Sequence, residues 1–175
     1  RFLLAAALLL PWVLKRKELR IHMAEGFFLS VILALLYISQ TVGLLYTTAS
    51  NSGFITGLFI IFIPALMFLF RKERPTRLQA VSAALALSGM WLLTGGVKGF
   101  NLGDALTLVA AAAYAGHLIV TDKFVKADAD PVMLAFHQFW MTSLIAFMLA
   151  AFMGYPLGVS GLNGWAVIIF LAVFP

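Results

Sequence analysis

The side chains able to do chemistry in this chain are few, and they fall at helical spacing. Ser30, Ala34, Tyr37 and Thr41 recur along one face of an apolar stretch, with Gln40 one turn from Tyr37. Asp104, Thr107, Ala111, Tyr114 and His117 do the same along another, and Gln138 shares a face with Thr142 along a third. Tyr brings an amphipathic ring, Gln two donors and an acceptor, and His a group that changes charge near neutral pH. We take Tyr37, Gln40, Tyr114, His117 and Gln138 as candidate substrate-binding residues. Helix packing through interhelical hydrogen bonds is the competing reading of such faces. For His117, about one turn from a helix end, interfacial hydrogen bonding is the alternative. Asp104 reads as the N-terminal cap of its helix, and His137 with Trp140 as an interfacial belt.

Other chemistry is excluded by what the sequence lacks. There is no cysteine, so neither a disulfide nor a thiol nucleophile can form. No HExxH, GxSxG or Walker loop is present, and no second acid falls where it could share a proton with Asp104. The chain does not read as an enzyme, and no metal or cofactor is called for.

The elements that carry these residues are membrane spans. The 175 residues are 63% hydrophobic and 11% charged, with mean hydropathy +1.02. So little charge describes an all-α polytopic membrane protein. The net charge of +5 does not signal nucleic acid, because the basic residues sit in short clusters between apolar runs. Spans are expected at about 24–46, 47–70, 78–97, 102–121 and 132–153, with partial ones at 2–14 and 165–175. The run 47–70, TTASNSGFITGLFIIFIPALMFLF, is predicted as one helix. Gly57 and Pro64 lie inside it as candidate bend or gating residues, since Pro64 cannot donate to the carbonyl of Ile60. Ser82, Ala86 and Gly89, with Ala84 and Ser88, read as a helix-packing stripe. The chain enters and leaves inside apolar runs, at Arg1 and Pro175, and reads as a fragment.

Charge orients the spans. The loops at 15–20, 71–77 and 122–131 fall on one side and hold ten of the twelve Lys and Arg residues; Arg1 and Lys98 fall on the other. Such a bias predicts that those three loops are cytoplasmic. A weak internal similarity, Arg1–Leu8 against Gln138–Ile145, joins segments that run in opposite directions, as an inverted repeat requires.

Several stretches together resemble the EamA-type branch of the drug/metabolite transporter superfamily. They are the Arg1-Phe2 opening, Thr47–Pro64 (TTASNSGFITGLFIIFIP), the basic return after Phe70, the Gly89–Gly96 ending and the Gly103-Asp104 start of the fifth span. The resemblance implies an inverted-repeat bundle of ten helices in the full length, of which about seven are present here, the last incomplete. Residues 1–97 would belong to the first repeat, as helices two to five. Residues 98–175 would belong to the second, as helices six, seven and part of eight. The function implied is a secondary transporter that exports a small metabolite, amino acid or amphipathic drug-like compound by alternating access. The alternative is a non-transporting membrane scaffold or subunit, or a lipid-handling enzyme. The expected partners are membrane lipid and a small-molecule substrate, with a homodimer as an allowed assembly and no nucleic acid. The expected location is the plasma membrane, in a bacterium the inner membrane.

Overall fold

The computed structural model describes residues 1–15, 19–72, 74–95, 99–154 and 161–173. Among the described residues the chain is helical, without strands. The helices are α1 (Phe2–Val13), α2 (Met23–Gly43), α3 (Ala49–Gly57), α4 (Phe59–Arg71), α5 (Arg77–Thr94), α6 (Leu102–Lys126), α7 (Pro131–Phe152) and α8 (Gly161–Val173). Four stretches are long and apolar enough to cross a bilayer: α2, Ala49–Phe70, α6 and α7. This is a polytopic helical membrane protein. Arg16, Lys17, Lys98 and much of the 154–164 connection lie outside the described residues.

Local chemistry sets the helix ends. Thr76 and Gln79 form a reciprocal capping box at the start of α5, and Gly95 ends that helix at φ 72°. Asp130 accepts from the N–H groups of Val132 and Met133, with Pro131 at the first helical position of α7. Among the described residues, the expected span at 78–97, carried by α5, is not one of those four stretches. Two other spans differ from the sequence expectation in their bounds or continuity. Helix α6 continues past residue 121 to Lys126, which shortens the expected 122–131 loop. Nothing in Thr121–Lys126 breaks a helix, and Lys123 and Lys126 in the last turn suit the negative end of its dipole.

The second difference is in 47–70, which is two helices rather than one. The interruption is at Leu58, six residues before Pro64, and Pro64 itself sits inside α4. The Leu58 N–H bonds back to Ile55 at 3.1 Å, and the Leu58 carbonyl accepts from both Ile61 at 2.8 Å and Phe62 at 3.1 Å. The helix thus tightens into a 3₁₀-like turn there.

The chain divides into two compact units. One comprises residues 1–34 and 123–175, the other residues 35–122. In the first, α1 packs along α7, with the Phe2 and Phe139 rings stacked at 5.9 Å. Leu29, Val13, Met133 and Leu134 are its most buried apolar side chains. There the Thr142 hydroxyl donates to the Ser30 carbonyl at 3.4 Å. Gly26 is the close-approach point, since a Cβ on it would collide with the Cβ of His137.

In the second unit the C-terminal end of α2 meets the N-terminal end of α6 at two glycines. A Cβ on Gly43 would lie 2.9 Å from the Gly103 carbonyl, and one on Gly103 would lie 2.8 Å from the Thr47 nitrogen. Helix α5 packs on α3, where Phe54 and Trp91 meet edge to face at 5.6 Å. The small-residue stripe of α5 does not pack inside this chain as expected. Ser82, Ser88 and Gly89 are exposed, and a Cβ on Gly89 would touch nothing within 4 Å.

Candidate functional site

Three helices reach the interruption at Leu58 within the 35–122 unit. From α2, the Gln40 Nε2 donates to the Thr56 hydroxyl at 3.1 Å, two residues before the break. From α6, the Tyr114 ring meets Phe59 at a centroid distance of 4.6 Å, tilted by 48°, one residue after it. From α5, Met90 lies directly over Gly57, where any Cβ would collide with its thioether. A polar contact and an aromatic contact therefore flank a break in a membrane helix. At that point the backbone stays bonded through the tightened turn, with the Leu58 carbonyl shared by two N–H groups.

The sequence candidates distribute unevenly about this point. Tyr37 and Gln40 are half-buried on α2, one turn apart, and Tyr114 is half-buried on α6. His117 is 8% exposed one turn further along α6, where its own carbonyl accepts from Thr121 at 2.8 Å. Gly57 adjoins the break, and Pro64 lies further along α4 and faces α5 instead. Gln138 belongs to the other unit, where it is 8% exposed and its backbone passes close to Gly26.

Thr56 and Phe59 were not singled out in the sequence, yet they hold Gln40 and Tyr114. Their positions on either side of Gly57-Leu58 were the available signal. His137 also departs from expectation: it is 2% exposed, packed against Gly26, and so is a buried residue rather than a belt anchor. Trp140 donates to its Nδ1 at 3.2 Å, which leaves the proton of the neutral ring on Nε2. Among the described residues that nitrogen has no hydrogen-bond partner.

Asp104 is fully buried and acts locally. Its carboxylate accepts from the Thr47 hydroxyl at 2.5 Å and from the Asn101 N–H at 3.1 Å, while the Asn101 side chain accepts from the Asp104 N–H at 3.0 Å. Asn101 is therefore the cap of α6, and Asp104, expected in that role, sits at the third helical position, closes the reciprocal box and ties the helix to the turn that follows α2. No cluster of His, Asp or Glu able to hold a metal occurs among the described residues.

The model of the EamA-like transporter family matches residues 1–95, more than half of the chain. The chain belongs to the EamA-like transporter family. A protein of Archaeoglobus fulgidus described as an uncharacterized transporter is 32% identical over 152 residues, which are 87% of this chain and 47% of that protein. The EamA-like chain thus spans about half the length of this curated relative. No solved structure matches it. The family match covers α1 to α5, and so includes Gln40, Thr56, Phe59 and the break between α3 and α4.

Proposed function

We propose that this chain is part of a secondary transporter of the bacterial inner membrane. It would export a small neutral or zwitterionic compound by alternating access, with the α3–α4 break at the substrate path. The observation that carries the reading is the pairing of contacts across Leu58, Gln40 with Thr56 on one side and Tyr114 with Phe59 on the other. Discontinuous membrane helices supply backbone groups to mid-membrane substrate sites, and irregular backbone is tolerated where it lines a cavity. An amide, a hydroxyl and two aromatic rings suit a ligand with an apolar body and a few polar groups better than a highly charged one. Tyr37 and His117, on the same faces of α2 and α6, extend the lining. In this reading Gly57 and Pro64 give the interrupted helix its room to move, and Gln138 is a further candidate contact for the transported compound. Residues 1–97 and 98–175 belong to successive inverted repeats, with the loops at 15–20, 71–77 and 122–131 cytoplasmic. Membership of a transporter family supports the absence of any catalysed reaction.

The test is flux. The purified protein is reconstituted in proteoliposomes and assayed for counterflow of radiolabelled neutral amino acids, with phenylalanine as the first probe. Saturable counterflow above that of protein-free vesicles is expected for at least one of them. Binding or scaffolding activity without counterflow of any neutral solute would instead favour a non-transporting membrane subunit.

A further inference from the structure

Helices α4 and α5 flank a groove beside, and apart from, the contacts at Leu58. It holds about 460 Å³, walled by Ile60, Ile63 and Pro64 of α4 and by Ala83 and Ala86 of α5. A second hollow of about 340 Å³ shares Pro64 and Gln79 with the first and reaches Arg74, Pro75 and Thr76 in the connecting loop. Polarity therefore changes along the groove. It is aliphatic beside the middle of α4 and cationic where the chain leaves the membrane.

The loop 71–77, RKERPTR, carries four basic residues against one acid, a net charge of +3. The Gln79 Oε1 is engaged by the Thr76 N–H at 2.8 Å, so what Gln79 offers a ligand at the junction is its NH₂ donors. A guanidinium beside amide donors matches an acceptor-only, negatively charged group, and Arg pairs with phosphate in bidentate fashion. Small side chains at Ser82, Ala83 and Ala86 keep the apolar part open, and the flanking Leu78 is 76% exposed.

We propose that this groove is a binding site for one anionic phospholipid. An acyl chain lies along Ile60, Pro64 and Ala83, and the headgroup phosphate sits on Arg74 and Gln79. The charge complementarity decides the occupant. A purely apolar helix from another chain would leave Arg74 and Gln79 facing nothing of opposite sign, whereas an anionic headgroup satisfies both. Basic pockets between membrane helices at the cytoplasmic surface take anionic lipid in this way. The inference shares only Pro64 with the transport reading, and its test reads lipid retention rather than flux.

Native mass spectrometry of the purified protein tests it, with phosphatidylglycerol or phosphatidylcholine of identical acyl chains added in detergent. The wild type should retain phosphatidylglycerol at least five-fold better than phosphatidylcholine. Arg74→Gln should bring that ratio close to one, Arg74→Lys should keep part of it, and Lys123→Gln on another basic segment should leave it unchanged. Ala83→Trp, which fills the groove, should lower retention of both lipids several-fold. Should that variant fail to fold, the exposed Arg74 series decides alone. An unaltered phosphatidylglycerol preference in Arg74→Gln would overturn the proposal. So would disulfide-linked dimers formed by Ser82→Cys in membranes, which would put a second copy on this face.

Discussion

Asp104 binds its surroundings through three hydrogen bonds, two shared with Asn101 and one from Thr47. A fully buried carboxylate deprived of one of these donors loses a charge-assisted bond, and such bonds contribute about 1.5–3 kcal/mol. Thr47→Val should therefore lower the thermal unfolding midpoint in detergent by several degrees. Asp104→Ala, which also removes the acceptor of the Asn101 N–H and so half of the reciprocal box at the start of α6, should lower it further. A midpoint unchanged in Thr47→Val would mean that this bond does not join α6 to the turn after α2. An N-terminal role for Asp104 was legible in the sequence because an acid at a helix start acts locally, although the cap itself is Asn101. Thr47 is 57 residues away from Asp104, and no periodicity announces such a pair. The same limit hid Gly26 against His137, where the glycine is legible only as a missing side chain.

Among the elements, spans separated by charge clusters were legible because an apolar run of bilayer length has few other fates. Their ends were less so. Helix α6 overran its expected end since charged residues in a last turn do not stop a helix when the dipole favours them. A bend at Pro64 in one helix was expected over 47–70, but the structure puts an interruption at Leu58, a residue with no helix-breaking character of its own. A proline marks that a helix will be disturbed, while packing, here Met90 over Gly57, selects the turn that yields. Pro64→Ala restores a donor for the Ile60 carbonyl. It should slow hydrogen exchange of the amides from Leu58 to Ile63 and reduce transport by roughly five-fold or more, about 1 kcal/mol of barrier, with expression maintained. Loss of folded protein with normal flux per surviving molecule would make the proline a structural element only.

At the scale of the molecule, the distribution of ten basic residues against two predicts a single orientation in the membrane. Arg74→Cys and Ala127→Cys should resist an impermeant thiol reagent in intact cells. Leu45→Cys, in the exposed turn between α2 and α3, should label readily. Labelling of Arg74→Cys from outside would reverse the topology and move the lipid groove to the other leaflet. The family was legible as well: the Arg1-Phe2 opening and the Thr47–Pro64 run that carried the resemblance lie within residues 1–95, which the family model matches. Which polar side chains meet at the break was not legible, since Gln40 and Tyr114 each present a face that helix packing would also produce.

That ambiguity is what the decisive measurement addresses. Counterflow in proteoliposomes should be compared for wild type, Gln40→Leu, Thr56→Val and the double variant, each normalised to folded protein. If the Gln40–Thr56 contact serves the substrate path, each single change should cut flux at least ten-fold, about 1.4 kcal/mol. The double change should be no worse than either alone, because both remove one shared interaction, and unfolding midpoints should stay close to wild type. Undiminished flux per folded molecule in Gln40→Leu, accompanied by a lowered midpoint, would show that the contact only packs helices and would contradict the account.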